Sequence, residues 1–145
     1  DRAWLSAATQ FPGTLFFNVS TLVATVHNLT VAQTDRHVWR PDAFGSVLFL
    51  VSSAFAILAL EHGSFDWRPR SLPWCIAWLN MLGSVFFMLS AIASFVLPSS
   101  GGVINQPAAN TGTFLGAACF LVAAGLLLPA WRGAVRSTTA TARAG

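Results

Sequence analysis

Few residues in this chain could do chemistry, and their positions limit what that chemistry could be. Gln10 and Asn80 are amides inside otherwise apolar runs. Facing each other, they could form an interhelical hydrogen bond, worth about 0.6 kcal/mol on average in membranes, or contact a small ligand or permeant. Asn18 lies further along the first run. An unpaired amide is costly in hydrocarbon, so Asn18 is expected to face another helix or a partner subunit. His27 and His62 stand at opposite edges of the apolar runs, whereas the axial ligands of a haem must converge on one iron. Cys75 and Cys119 lie within apolar runs and read as inert thiols, because disulfides and metal sites favour loops or His/Cys clusters. No nucleophile–base pair, phosphate loop, metal cluster or intramembrane carboxylate is evident. The expectation is a non-enzyme with no catalytic residues, no metal and no cofactor. Lack of an intramembrane acid or base also argues against proton-coupled transport.

The elements that position these residues are apolar blocks. The chain has 145 residues, 54% hydrophobic and 9% charged, against about 25% charged in a soluble domain. Four blocks, 4–26, 43–60, 72–97 and 113–129, are almost free of charge. At 1.5 Å per residue each approaches or exceeds the roughly 30 Å of a bilayer core. A soluble bundle would need polar outer helix faces, and these blocks lack them. The fold expected is all-α, an integral membrane four-helix bundle. Asp42 and Thr113 are expected to cap the second and fourth helices. The chain begins at Asp1, not Met, so upstream sequence is expected.

All basic residues are Arg, and the net charge is +3. They gather at block ends, which is a membrane pattern and not a nucleic-acid one. Four spans place both termini and the 61–71 loop on one side, with Arg2, Arg68, Arg70, Arg132, Arg136 and Arg143; the other side holds Arg36 and Arg40. The positive-inside rule puts the Arg-rich side in the cytoplasm. An Arg-rich chain without Lys points to a bacterial inner membrane, with residues 132–145 as a cytoplasmic basic tail. Trp39-Arg40-Pro41 recurs as Trp67-Arg68-Pro69. Trp39, Arg40, Trp67 and Arg68 are candidate lipid-headgroup contacts, since Trp and Arg favour the interface.

The blocks repeat. "GTLFFNVS" at 13–20 returns as "GSVFFMLS" at 83–90, and a shift of 70 residues lays Trp4 on Trp74 and Ser20 on Ser90. Asn18 breaks the pattern, falling on Met88. "GSVLFLVSS" at 45–53 likewise matches "GAACFLVAA" at 116–124. The expected architecture is two tandem hairpins, 1–66 and 67–131, forming a parallel repeat about an axis along the membrane normal. Each helix carries Gly, Phe and a small residue on one face: Gly13-Phe17-Ser20, Gly45-Phe49-Ser52, Gly83-Phe87-Ser90 and Gly116-Phe120-Ala123. Membrane helices associate through close packing, so small residues belong at contact faces. The stripes are expected to face one another over the outer half of the bilayer, leaving a looser inner half around Gln10 and Asn80.

The runs "QFPGTLFFNVST", "DRHVWRPDAFGSVLFLVSS", "WCIAWLNMLGSVFF" and "ANTGTFLGAACFLV" resemble uncharacterised actinobacterial membrane proteins of the YrhK-like type. The likeness extends to about Trp131. It implies a further upstream hydrophobic hairpin and carries no known activity, so no functional residue is transferred. The functional expectation is an accessory or scaffold subunit of a homo-oligomer or larger membrane complex. The alternative is a small channel or facilitator for a neutral or weakly polar solute passing Gln10 and Asn80.

Overall fold

Short polar side chains at the turns decide where the helices begin. In the computed structural model, which describes residues 1–60 and 71–144 with side chains up to 129, Asp1 accepts the Ala3 N–H at 2.9 Å and opens helix α1, Arg2–Ala24. Asn28, in the left-handed region at φ 64°, helps turn the chain after it. Thr30 and Gln33 then form a reciprocal cap. Thr30 Oγ1 accepts the Gln33 N–H at 3.3 Å, and Gln33 Oε1 accepts the Thr30 N–H at 2.9 Å, satisfying two donors that a helix start leaves free.

From this cap the chain stays helical over Val31–Leu60, helix α2. Asp35–Trp39 forms a widened turn, in which the Arg40 N–H reaches back to the Asp35 carbonyl. Pro41 comes immediately after. In a regular helix its ring would collide with the carbonyl four residues earlier, and the widened turn makes room for it. The expected start at residue 43 is therefore corrected: the helix begins about three turns earlier, and Asp42 is not its cap.

Ser71 accepts the Trp74 N–H at 3.4 Å and opens α3, Leu72–Ala93, with Pro73 in the first turn where no donor is needed. The expected extension to residue 97 gives way to a tight connection. The Leu97 N–H bonds to Gly102 O at 2.7 Å, Val96 bridges Val103, and Gly101 takes φ 69°. Asn105 Oδ1 accepts the Ala108 N–H at 3.0 Å and starts α4, Gln106–Ala144. Thr113, expected as the cap, lies well inside this helix. The backbone of 132–144, expected as a tail, continues it.

Helix α1 packs along α2, α2 along α3, and α3 along α4, while no comparable face joins α1 to α4. The bundle is thus open along one side. Its interior holds small or aromatic residues, including Ser46, Ser53, Ser84, Ala91, Ala123, Phe49 and Phe87. The outside is apolar: Phe11, Leu22, Phe114 and Leu121 are all well exposed. Three helical stretches, Val31–Leu60, Leu72–Ala93 and Gln106–Pro129, are long and apolar enough to cross a membrane. Helix α1 is long enough but falls short in apolarity, so three of the four expected spans meet this measure. Thr9, Gln10, Thr14, Asn18, Ser20 and Thr21 dilute the apolarity of α1.

Candidate functional site

The Gly-Phe-small stripes meet at the centre. A Cβ on Gly13 would lie 3.1 Å from the Phe49 ring, and one on Gly45 would lie 3.0 Å from the Gly13 carbonyl. In the other hairpin, a Cβ on Gly83 would lie 2.9 Å from the Phe120 ring, and one on Gly116 would lie 3.0 Å from Phe87. Between the hairpins, Phe17, Phe49, Phe87 and Phe120 cluster, one from each helix. Ring centroids are 4.8 Å apart for Phe17–Phe87 and 5.3 Å for Phe49–Phe120. Tilted aromatic contacts at such distances suit the ring quadrupoles.

Hydroxyls fasten the layers on either side. Ser20 Oγ donates to Val38 O at 2.8 Å, and Ser90 Oγ donates to Ala109 O at 2.7 Å. Ser52 Oγ donates to Ser6 O at 2.8 Å, and Ser53 and Ser84 share a hydrogen bond at 2.9 Å across α2 and α3. Ala123 is buried, and Ser46 is buried with no partner for its hydroxyl among the described residues. Gly112, outside the expected stripe, also marks a close approach: a Cβ there would meet Phe86 O and Ser90 Cβ, both at 2.9 Å.

The amides expected to carry function are not joined. Gln10 and Asn80 are half-buried, and neither side chain takes a hydrogen bond among the described residues; their carbonyls accept from Thr14 and Ser84. Asn18 is exposed on the outside of α1, in one helical file with exposed Thr14, Thr21 and Thr25. Those threonines bond to their own helix's carbonyls, whereas the Asn18 amide has no partner among the described residues. Trp39 is turned inward. Its Nε1 donates to Ala91 O at 2.8 Å and its ring packs edge-on to Phe95 at 4.9 Å, tying α2 to α3. Arg40 pairs with Asp35 at 2.9 Å on the surface. The two border an apolar groove of about 840 Å³ that includes Val31, Phe44, Val47 and Phe95. Trp67 and Arg68 lie outside the described residues, as does His62. Cys75 and Cys119 are free thiols, both half-buried.

The feature that sequence reasoning missed lies at the end of the bundle where the 25–30 and 94–105 connections sit. There, on the open side between α1 and α4, is a half-open pocket of about 420 Å³ whose lining mixes apolar surface with many polar side chains. All four helices contribute, including Ser20, Asp42, Ser90 and Thr113. At this end α3 and α4 approach closely at Gly112 and Ser90, while the lack of an α1–α4 face leaves room beside them. Asp42 lies within the Val31–Leu60 stretch and lines the cavity, with no hydrogen bond or ion pair to its carboxylate among the described residues. The signal that could have revealed this was the Thr30-x-x-Gln33 cap, which moves the start of the helix ahead of Asp42.

No group of three metal-ligating side chains comes together among the described residues. Compared with protein-family models, curated proteins and solved structures, the chain finds no match.

Proposed function

We propose that this chain is a non-enzymatic membrane subunit, an accessory or scaffold element that works by lateral association with further copies or other membrane helices. The observation that carries the reading is Asn18. Its amide sits on the outer face of α1 without a partner among the described residues, in file with Thr14, Thr21 and Thr25. Facing lipid, such a group would forfeit its hydrogen bonds; facing another helix, it would gain them. The limited apolarity of α1 fits the same reading, because a helix shielded by protein on two sides tolerates more polar residues. The matching glycine contacts within each hairpin support a tandem duplication. The Arg distribution supports cytoplasmic termini in a bacterial inner membrane.

The experiment is native mass spectrometry of the protein extracted in mild detergent. An assembly is expected, either a multiple of the chain's own mass or a stoichiometric complex with other membrane subunits. Asn18→Leu should lower its yield while leaving the helical circular dichroism unchanged. A monomer alone, or an assembly indifferent to Asn18→Leu, refutes the proposal.

A further inference from the structure

The half-open pocket has an unusual balance of hydrogen-bonding groups. Its hydroxyls have already committed their protons. Ser20 donates to Val38 O, Thr21 to Phe17 O, Thr34 to Thr30 O and Ser94 to Ala91 O. Ser90 donates to Ala109 O, so the 2.7 Å contact between Ser90 and Thr113 uses the Thr113 proton. A hydroxyl has one proton and two lone pairs. What these six side chains can still offer to the cavity is therefore oxygen lone pairs. The Trp39 N–H is likewise spent on Ala91 O. No Arg, Lys or His among the described residues lines the space. Against these acceptors the remaining side-chain donors are the exposed amides of Gln106 and Asn110, at the rim; Gln106 Nε2 donates to Asn110 Oδ1 at 2.8 Å, and the Asn110 N–H groups are uncommitted. Into this acceptor-rich space projects Asp42, whose carboxylate has no partner among the described residues.

A half-buried carboxylate with no partner among the described residues is favoured by a counter-charge or a proton. A cationic ligand rich in N–H donors answers both the charge and the surplus of lone pairs. At about 420 Å³ the cavity is larger than a single ion requires, with room for roughly ten non-hydrogen atoms and some water. Phe17 and Trp39 add aromatic lining, suited to the alkyl part of such a ligand and to its cationic head. We infer that this cavity is a binding site for a small organic primary ammonium, with Asp42 as its counter-ion and the lone pairs of Ser20, Ser90 and Thr113 as hydrogen-bond acceptors. A quaternary ammonium has no N–H to give these acceptors and binds more weakly.

This site does not depend on lateral association, and its test reads a single chain. The chain is placed in phosphatidylcholine nanodiscs, whose lipids carry no net charge. Dicyclohexylcarbodiimide is then used to modify Asp42, with the product located by peptide mass spectrometry. Saturating n-butylammonium is expected to slow modification at least fivefold, whereas n-butanol at the same concentration leaves it unchanged. Calorimetry is expected to show saturable n-butylammonium binding, weakened about tenfold or more in Asp42→Asn, since one partner of a desolvated charge pair is lost. Tetramethylammonium and potassium are expected to bind more weakly than n-butylammonium. Absence of protection, equal protection by n-butanol, or equal binding by potassium overturns the inference. The labelling arm uses the unaltered chain, so the conclusion stands even if Asp42→Asn fails to fold.

Discussion

Phe17 of α1 and Phe87 of α3 pack with their ring centroids 4.8 Å apart, closing the centre of the bundle between two helices that are not neighbours in the chain. Phe87 also meets Phe49 at 5.7 Å and Phe120 at 5.5 Å. In lipid the transfer of an apolar side chain into the protein gains little, so the worth of this cluster lies in dispersion and ring geometry. Phe87→Ala removes three ring contacts at once. It is expected to destabilise the bundle by about 2 kcal/mol or more, measured as a lowered unfolding midpoint in mixed micelles. Phe114→Ala, on the exposed face of α4, should cost far less, and equal losses would show that the cluster has no special role.

Among the described residues, the glycines separate into those with neighbours and one without. A Cβ at Gly83 would lie 2.9 Å from the Phe120 ring, but one at Gly125 would have nothing within 4 Å. Gly83→Ala is expected to cost about 1–3 kcal/mol through overpacking. Gly125→Ala should be neutral or stabilise by up to about 1 kcal/mol through helix propensity. The comparison is made by thermal unfolding of both variants in the same detergent, and a reversed order would contradict the packing described.

Ser46 is 0% exposed, and its hydroxyl finds no partner among the described residues. Replacing an unsatisfied buried hydroxyl with hydrogen removes a desolvation cost of about 1–3 kcal/mol. Ser46→Ala is accordingly expected to raise the unfolding midpoint. Ser84→Ala is expected to lower it, because Ser84 bonds to both Ser53 and Asn80 O. A drop in both variants would mean that the Ser46 hydroxyl is satisfied.

Trp39 joins α2 to α3 through its indole N–H and its edge-on contact with Phe95. Trp39→Phe retains an aromatic ring but loses the hydrogen bond, at an expected cost of about 0.5–1.5 kcal/mol. The loss should fall mainly on the turn end of the bundle. Amide exchange of the 94–105 connection is therefore expected to quicken more than that of residues 76–84.

The stripe was legible because glycine, phenylalanine and serine at helical spacing in an apolar run have few other uses in lipid. That the stripes face one another follows from the spacing; the pairing of Gly13 with Phe49 and Gly83 with Phe120 comes from the structure. The helix starts were harder to read. Charged residues around Asp35, Arg36 and Arg40, followed by Pro41, looked like a loop, although Thr30 and Gln33 carried the capping signal. Nor could spacing reveal the open side between α1 and α4, since helix rotation depends on all contacts together. The same two features hide the place of Asp42: a helix start at residue 43 makes it a cap, whereas the start at Val31 carries the helix past it and the open side leaves a pocket beside it.

The widened turn at Asp35–Trp39 has a consequence for Asp42. Each residue of a regular helix advances the side-chain direction by about 100°, so a turn holding one extra residue resets the phase between the helical segments on its two sides. Val31 and Thr34 can keep the orientation set by their cap while Asp42, Gly45, Phe49 and Ser52 share another. Deleting one residue from this turn would force both halves into a single phase. Either the capped segment would swing off the bundle or the acid would leave the cavity. The turn thus works as an angular joint, letting the loop and the core each keep its own alignment.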